Sequence, residues 1–241
     1  MILGVARASK SMDYFYRNAQ AYETWWVHEG SGVLKSQFGN LKFRKGDYIV
    51  IPFGTTWQMH IDGSEARFFT IENPSQIEPP KRYRNQFGQL LEHAPYCERD
   101  IRTPDELETH TERGDFEVRV KVRDRLSKHI LDYHPFDVVG WDGYLYPWIF
   151  NIEDFEPITG RVHQPPPAHQ TFDAHNFVVC SFVRVSSTII RSPSPRRTIT
   201  PTSTRMKSSI MPRATSCRAK ALTVPIFPCT RTAWRTDLSP A

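Results

Sequence analysis

The residues of this chain best suited to move a proton or hold a metal are its nine histidines, all upstream of residue 184. An imidazole titrates near neutrality and, when neutral, ligates transition metals. His163 and His169 flank the proline run Pro165–Pro167 in GRVHQPPPAHQ, a run that sets the path of an extended segment. His28, His60, His93, His129, His134 and His175 stand singly on strands or loops and read as structural or surface residues. Four cysteines, Cys97, Cys180, Cys217 and Cys229, are widely scattered without CxxC spacing, so they read as thiols rather than a zinc site or disulfide framework. The sequence has no GxGxxG, P-loop or nucleophile elbow.

The elements that must position these residues are mainly strands. From Thr24 to Glu72 short apolar and β-branched runs alternate with turns at Gly30–Gly32, Gly39-Asn40, Gly46-Asp47 and Gly54, the hairpin pattern of a sandwich or barrel. The spacing resembles the cupin barrel: Glu23 and Gly30 match Glu-x6-Gly, and Gly46, Pro52 and Gly54 match Gly-x5-Pro-x-Gly-x2-His up to the final position, where Trp57 stands. No HxH pair precedes Glu23, so a ferrous site lacks its imidazoles and this barrel is expected to be metal-free. Plain hairpin turns would give the same spacing. Further along, TPDELET (103–109) suggests a short helix behind a Thr cap, FEVRVKVRD a half-exposed edge strand, and FDVVGWDGYLYPWIFNI an aromatic block that is buried or at an interface. The stretch PDELETHTERGD reads as a solvated acidic face.

Net charge is +5, but its distribution is uneven. Residues 184–241 hold 11 Lys and Arg against one acid, Asp237, while residues 1–183 hold 20 bases and 25 acids. All 12 glycines and all 9 tyrosines also precede residue 184. A folded domain rarely dispenses with glycine, which serves positive-φ turns, so 184–241 reads as a disordered basic tail. Its RSPSPRR superficially resembles a nucleic-acid arm. No apolar run approaches the roughly 18 residues that span a bilayer, and MILGVARASK is too short in apolar residues for a secretory signal, so a cytoplasmic location is expected.

The stretches VHEGSGVL, KRYRNQFGQLLEHAPYCERDIR, HPFDVVGWDGYLYPWIFNIEDFEPITGRVHQPPPAHQTF and FVVCSFV resemble homogentisate 1,2-dioxygenases of the bacterial type. The resemblance begins inside the family's N-terminal region, runs to Val183 and stops at Arg184. It implies two cupin-like (RmlC-like jelly-roll) β domains with connecting segments: a metal-free first barrel, and a second that holds one Fe(II) through two His and a Glu. Family members open the ring of homogentisate with O2 to give maleylacetoacetate in tyrosine and phenylalanine breakdown, and they form trimer-based assemblies. The chain accordingly divides into a cupin-like domain at 1–80, a connecting region at 81–183 and a non-homologous tail at 184–241.

On this resemblance His163 matches the family's general base on the substrate phenol, with His169 as the alternative. Reading the tail one base out of phase permits a peptide with YNHSN, Glu-x6-Gly and Pro-x-Gly-x2-His in that order, the metal motifs missing upstream. A single-base deletion after Val183 is therefore expected. Where the in-phase peptide supplies the three iron ligands, this chain has Thr200, Lys207 and Thr236. The expectations are no retained metal ligands, an inactive dioxygenase fragment, a possible homo-oligomer and no specific nucleic-acid or membrane partner. The alternative is a catalytically silent cupin-like binding or self-association module.

Overall fold

A computed structural model of the chain describes residues 1–105, 107–138, 140–156 and 166–183. His163, Thr200, Lys207 and Thr236 lie outside the described residues. The described chain is mainly β: β1 (Ile2–Ala8), β2 (Phe15–Asn18), β3 (Tyr22–Glu29), β4 (Gly32–Ser36), β5 (Gly39–Phe43), β6 (Asp47–Ile51), β7 (Thr56–Ile61), β8 (Ala66–Asn73), β9 (Ile101–Arg102), β10 (Arg113–Val122), β11 (Arg125–Tyr133), β12 (Trp148–Asn151), β13 (Gln170–Asp173) and β14 (Val178–Cys180). Two six-stranded sheets, β1-β8-β3-β6-β12-β9 and β11-β10-β2-β7-β4-β5, form a cupin-like sandwich that does not close into a ring. The third sheet is the hairpin β13-β14.

Burial explains the strand sequences. On β6 (DYIVI) every residue is buried, because both faces of its sheet are covered. Ile49 and Ile51 pack between the two sheets with Trp25, Trp57, Met59 and Phe68. Tyr48 and Val50 face the other way, into a second cluster with Tyr83, Tyr96, Phe150, Phe155 and Phe172. The connecting region supplies most of that second cluster and also adds β9 and β12 to the first sheet and β10 and β11 to the second.

The turns at the motif glycines have physical reasons. Gly30 has φ +95°, and a Cβ there would sit 2.8 Å from the Cβ of Ala66, so any side chain meets both backbone strain and a clash. Gly46 (φ +87°) brings the chain round so that Asp47, fully buried, accepts from the Arg44 N–H at 2.7 Å and the Asn151 amide at 2.7 Å and pairs with Arg102.

Two local expectations are corrected. Residues 103–105 and 107–109 form no helix. TPDELET has a single large apolar residue, Leu107, and so no stripe to bury. Glu108 instead reaches to the Asn40 amide at 2.6 Å and the Lys35 ammonium at 3.4 Å, which draws the segment across β4 and β5. FEVRVKVRD is not an edge: β10 lies between β11, antiparallel, and β2, parallel, and the exposed edge is β11. The alternation is real, but Lys121 is on the inward face and only 1% exposed.

Candidate functional site

Of the two histidines singled out as proton acceptors, the described residues contain His169. It ends a one-turn 3-10 segment (Pro166–His169) that leads into β13. The hairpin β13-β14 is held on the first sheet by buried hydroxyls. The Tyr83 hydroxyl donates to the Gln170 carbonyl at 2.9 Å, the Tyr96 hydroxyl donates to the Thr171 carbonyl at 2.6 Å, and the Tyr48 and Ser181 hydroxyls share a hydrogen bond at 3.3 Å. Burial pushes the Tyr48 phenol up to about 12, so it stays protonated. The Ser181 N–H donates to the His169 carbonyl at 2.8 Å, and the His169 ring lies 4.8 Å from that of Phe182. The His169 Nδ1 is buried without a hydrogen-bond partner among the described residues.

The motif residues of the first barrel come together inside the sandwich. Tyr16 and Asn18 on β2, Glu23 on β3 and Trp57 on β7 all point between the sheets. The Tyr16 hydroxyl and the Asn18 amide donate to Glu23 Oε1 at 3.3 and 2.9 Å. Trp57, at the position where the cupin motif ends in His, has no exposed surface and packs edge-on against Tyr16 and Trp25, centroids 5.2 and 5.6 Å away. Burial pushes the Glu23 carboxyl up to about 7. Hydrogen bonds from Asn18 and Trp25 and the Lys121 charge oppose that rise, and the Glu72 charge adds to it.

Sequence reasoning flagged Glu23 as the acid of Glu-x6-Gly but missed its neighbours Glu72 and Lys121, which reach it only through strand register. It also missed His110, whose ring stacks on His134 with centroids 3.8 Å apart and planes 15° apart. His134 is therefore not a solitary histidine; burial, and then the neighbouring His110, lower its pKa. His129 lies on the exposed strand β11, within 3.1 Å of the Ser127 hydroxyl. The aromatic block divides: Trp148 and Phe150 pack in the second cluster, whereas Trp141 and Tyr144 are exposed, Trp141 against Phe38 at 5.5 Å. Trp141, Phe38, Leu107 and Tyr146 line a shallow open cleft on the surface.

Among the described residues no group of three or more His, Cys, Asp or Glu is placed to hold a metal ion. No helix among them is long and apolar enough to cross a membrane. The chain is 49% identical over 169 residues to a provisionally named dioxygenase of Saccharolobus solfataricus, a match covering 70% of this chain and 43% of that protein. It is 28% identical over 156 residues to a homogentisate 1,2-dioxygenase of Bradyrhizobium diazoefficiens, covering 62% of this chain and 33% of that protein. A homogentisate 1,2-dioxygenase of Rhodopseudomonas palustris is 27% identical over 152 residues, covering 61% and 32%. The chain thus spans less than half the length of these relatives. The profile of the family described as Homogentisate 1,2-dioxygenase N-terminal matches residues 4–152, more than half of the sequence, and the chain belongs to that family.

Proposed function

We propose that this chain descends from a homogentisate 1,2-dioxygenase, an enzyme that opens the ring of homogentisate with O2 at Fe(II) to give maleylacetoacetate, and that the polypeptide itself is catalytically inactive. The observation that carries the second half is the donor set. Thr200, Lys207 and Thr236 stand where the out-of-phase reading places two imidazoles and a carboxylate. Neutral hydroxyls are poor ligands for Fe(II) and an ammonium repels it, so the residues present do not fit the ion. The change of charge and composition after Val183 supports a single-base deletion as the origin of 184–241. Resequencing the gene across that point tests the deletion, and an unbroken frame would refute it.

Within this reading His163 is the proton acceptor for the substrate phenol. His169 is the alternative, supported by a buried Nδ1 that has no hydrogen-bond partner among the described residues. The lineage acts in the cytoplasm and assembles from trimers. The competing reading is a silent cupin-like module. The space between the sheets is filled by Trp25, Trp57 and Phe68, all 1% exposed or less, which favours self-association over small-molecule binding for such a module.

The test is O2 uptake by the purified full chain, loaded anaerobically with Fe(II) and then given homogentisate. Uptake no faster than free iron supports the lost site. Sustained turnover abolished by His163→Ala would show that other residues hold the iron and overturn the proposal.

A further inference from the structure

Strand register sets three charged side chains and one amide across from one another inside the sandwich. On β3 and β8, Glu23 lies directly opposite Glu72, and on β2 and β10, Asn18 lies opposite Lys121. Like charges directly opposed on neighbouring strands repel, and burial removes the water that would screen them. Glu23 is 2% exposed and Lys121 1%, and the Glu72 side chain is 12% exposed. The Lys121 ammonium grips Glu72 through both carboxylate oxygens, at 2.6 Å from Oε2 and closer to Oε1. Asn18 Oδ1 accepts from the Gln20 and Ala21 N–H groups at 3.2 and 3.1 Å, which fixes the side-chain NH2 toward Glu23 Oε1. Tyr16 and Asn18 both donate to Oε1, and the Trp25 indole is the further donor to the buried carboxylate. Two carboxylates and one ammonium leave the cluster one positive charge short when both acids are ionised.

We propose that Glu23 and Glu72, with the Tyr16 hydroxyl beside them, form a cation site between the two sheets whose resident occupant is the chain's own Lys121 ammonium. Its donors are all oxygens, the set that suits hard divalent cations of the manganese and magnesium class. The ammonium supplies one charge and, through the parallel β2-β10 pairing, ties the connecting region to the first eight strands. A divalent ion would supply two charges and balance both carboxylates, but it cannot enter while the Lys121 side chain fills the site. Without the ammonium the two opposed carboxylates have no counter-ion, and an external cation becomes the means of holding β3 and β8 against β2 and β10.

The experiment uses the full chain at roughly pH 8, above the raised value of Glu23, with MnCl2 as the probe and free Mn2+ read by electron paramagnetic resonance beside the thermal midpoint. The wild type is expected to bind no Mn2+ at the site and to show no shift in midpoint. Lys121→Met melts lower, binds one Mn2+ per chain and recovers midpoint with it. The double variant Lys121→Met/Glu23→Gln loses at least about tenfold of that affinity. If Lys121→Met folds only when refolded with Mn2+, the site is equally supported. Failure to fold both with and without Mn2+, absence of binding, or binding indifferent to Glu23→Gln would overturn the proposal. So would stoichiometric binding of equal affinity by the wild type.

Discussion

Replacing Glu23 by Gln should flatten the pH dependence of stability near neutrality. The carboxyl is raised from 4.5 to about 7 by burial, so between those values the folded chain holds a proton that the unfolded chain has released. Stability conferred by that proton is fully present below pH 4.5 and is lost as pH rises through about 7. At roughly 1.4 kcal/mol per pH unit, the interval corresponds to about 3 kcal/mol. Gln keeps the oxygen that accepts from Tyr16 and Asn18 and cannot ionise, so it reproduces the protonated state at every pH.

The assay is urea unfolding followed by tryptophan fluorescence, with Trp25 and Trp57 beside the substituted residue, repeated from roughly pH 5 to pH 8. The variant should gain on the wild type by about 3 kcal/mol across that range, the difference opening as pH rises. Parallel pH profiles for the two proteins would refute the reasoning. They would mean that Lys121 compensates Glu23 fully and that burial does not govern the group. A variant already less stable by several kcal/mol at the acid end would instead show that the Gln amide cannot be accommodated beside Lys121 and Glu72.

Other substitutions test the frame around this cluster. Asp47→Ala leaves the Arg44 N–H, the Asn151 amide and the Arg102 guanidinium without their shared buried acceptor, and should lower the unfolding free energy by about 3 kcal/mol in urea titrations. Trp57→Ala removes a fully buried ring from between Tyr16 and Trp25 and should destabilise the chain by roughly 3–5 kcal/mol, read as a shift in urea midpoint. His134 works opposite to Glu23: its lowered pKa, set by burial and then by His110, means that stability falls as pH drops below 6.5. Thermal melts in the Glu23→Gln background should show this acid-side loss, and His110→Phe should reduce it; an unchanged acid limb would rule out the stacked pair as its source.

Much of the fold was legible because it depends on local chemistry. Gly30 and Gly46 marked turns that require positive φ, and apolar runs between the turns marked β3, β4, β5, β6 and β8. What could not be read was pairing between distant segments. Nothing near residues 113–122 says that β10 will lie parallel to β2, 103 residues earlier in register, and so nothing says that its lysine must be buried. The charged, alternating sequence looked like an edge because charge usually means solvent. At Lys121 it means a counter-ion for Glu72 instead. The helix expected at 103–109 failed for a related reason: a Thr cap and acidic first turn are start signals, but with no apolar stripe the tertiary contacts of Glu108 decide the path.

The same distinction bears on the site. Glu23 was visible as the acid of a cupin-like Glu-x6-Gly element, and the absence of imidazoles around it argued against a ferrous centre. Sequence alone did not show what a buried carboxylate does where no imidazoles stand beside it. Its charge must be neutralised by a proton, by a buried cation of the chain, or by the disappearance of the acid. The chain retains Glu23, places Glu72 opposite it and supplies Lys121 from the connecting region. The first two routes are therefore both in use, and they compete: whatever strengthens the ammonium's hold on the pair weakens the carboxyl's hold on its proton. A domain built this way depends on residues 113–122 for the electrostatics of its interior. Separating the first eight strands from β10 would thus strand two facing carboxylates between the sheets, which makes the connecting region part of the domain's core chemistry.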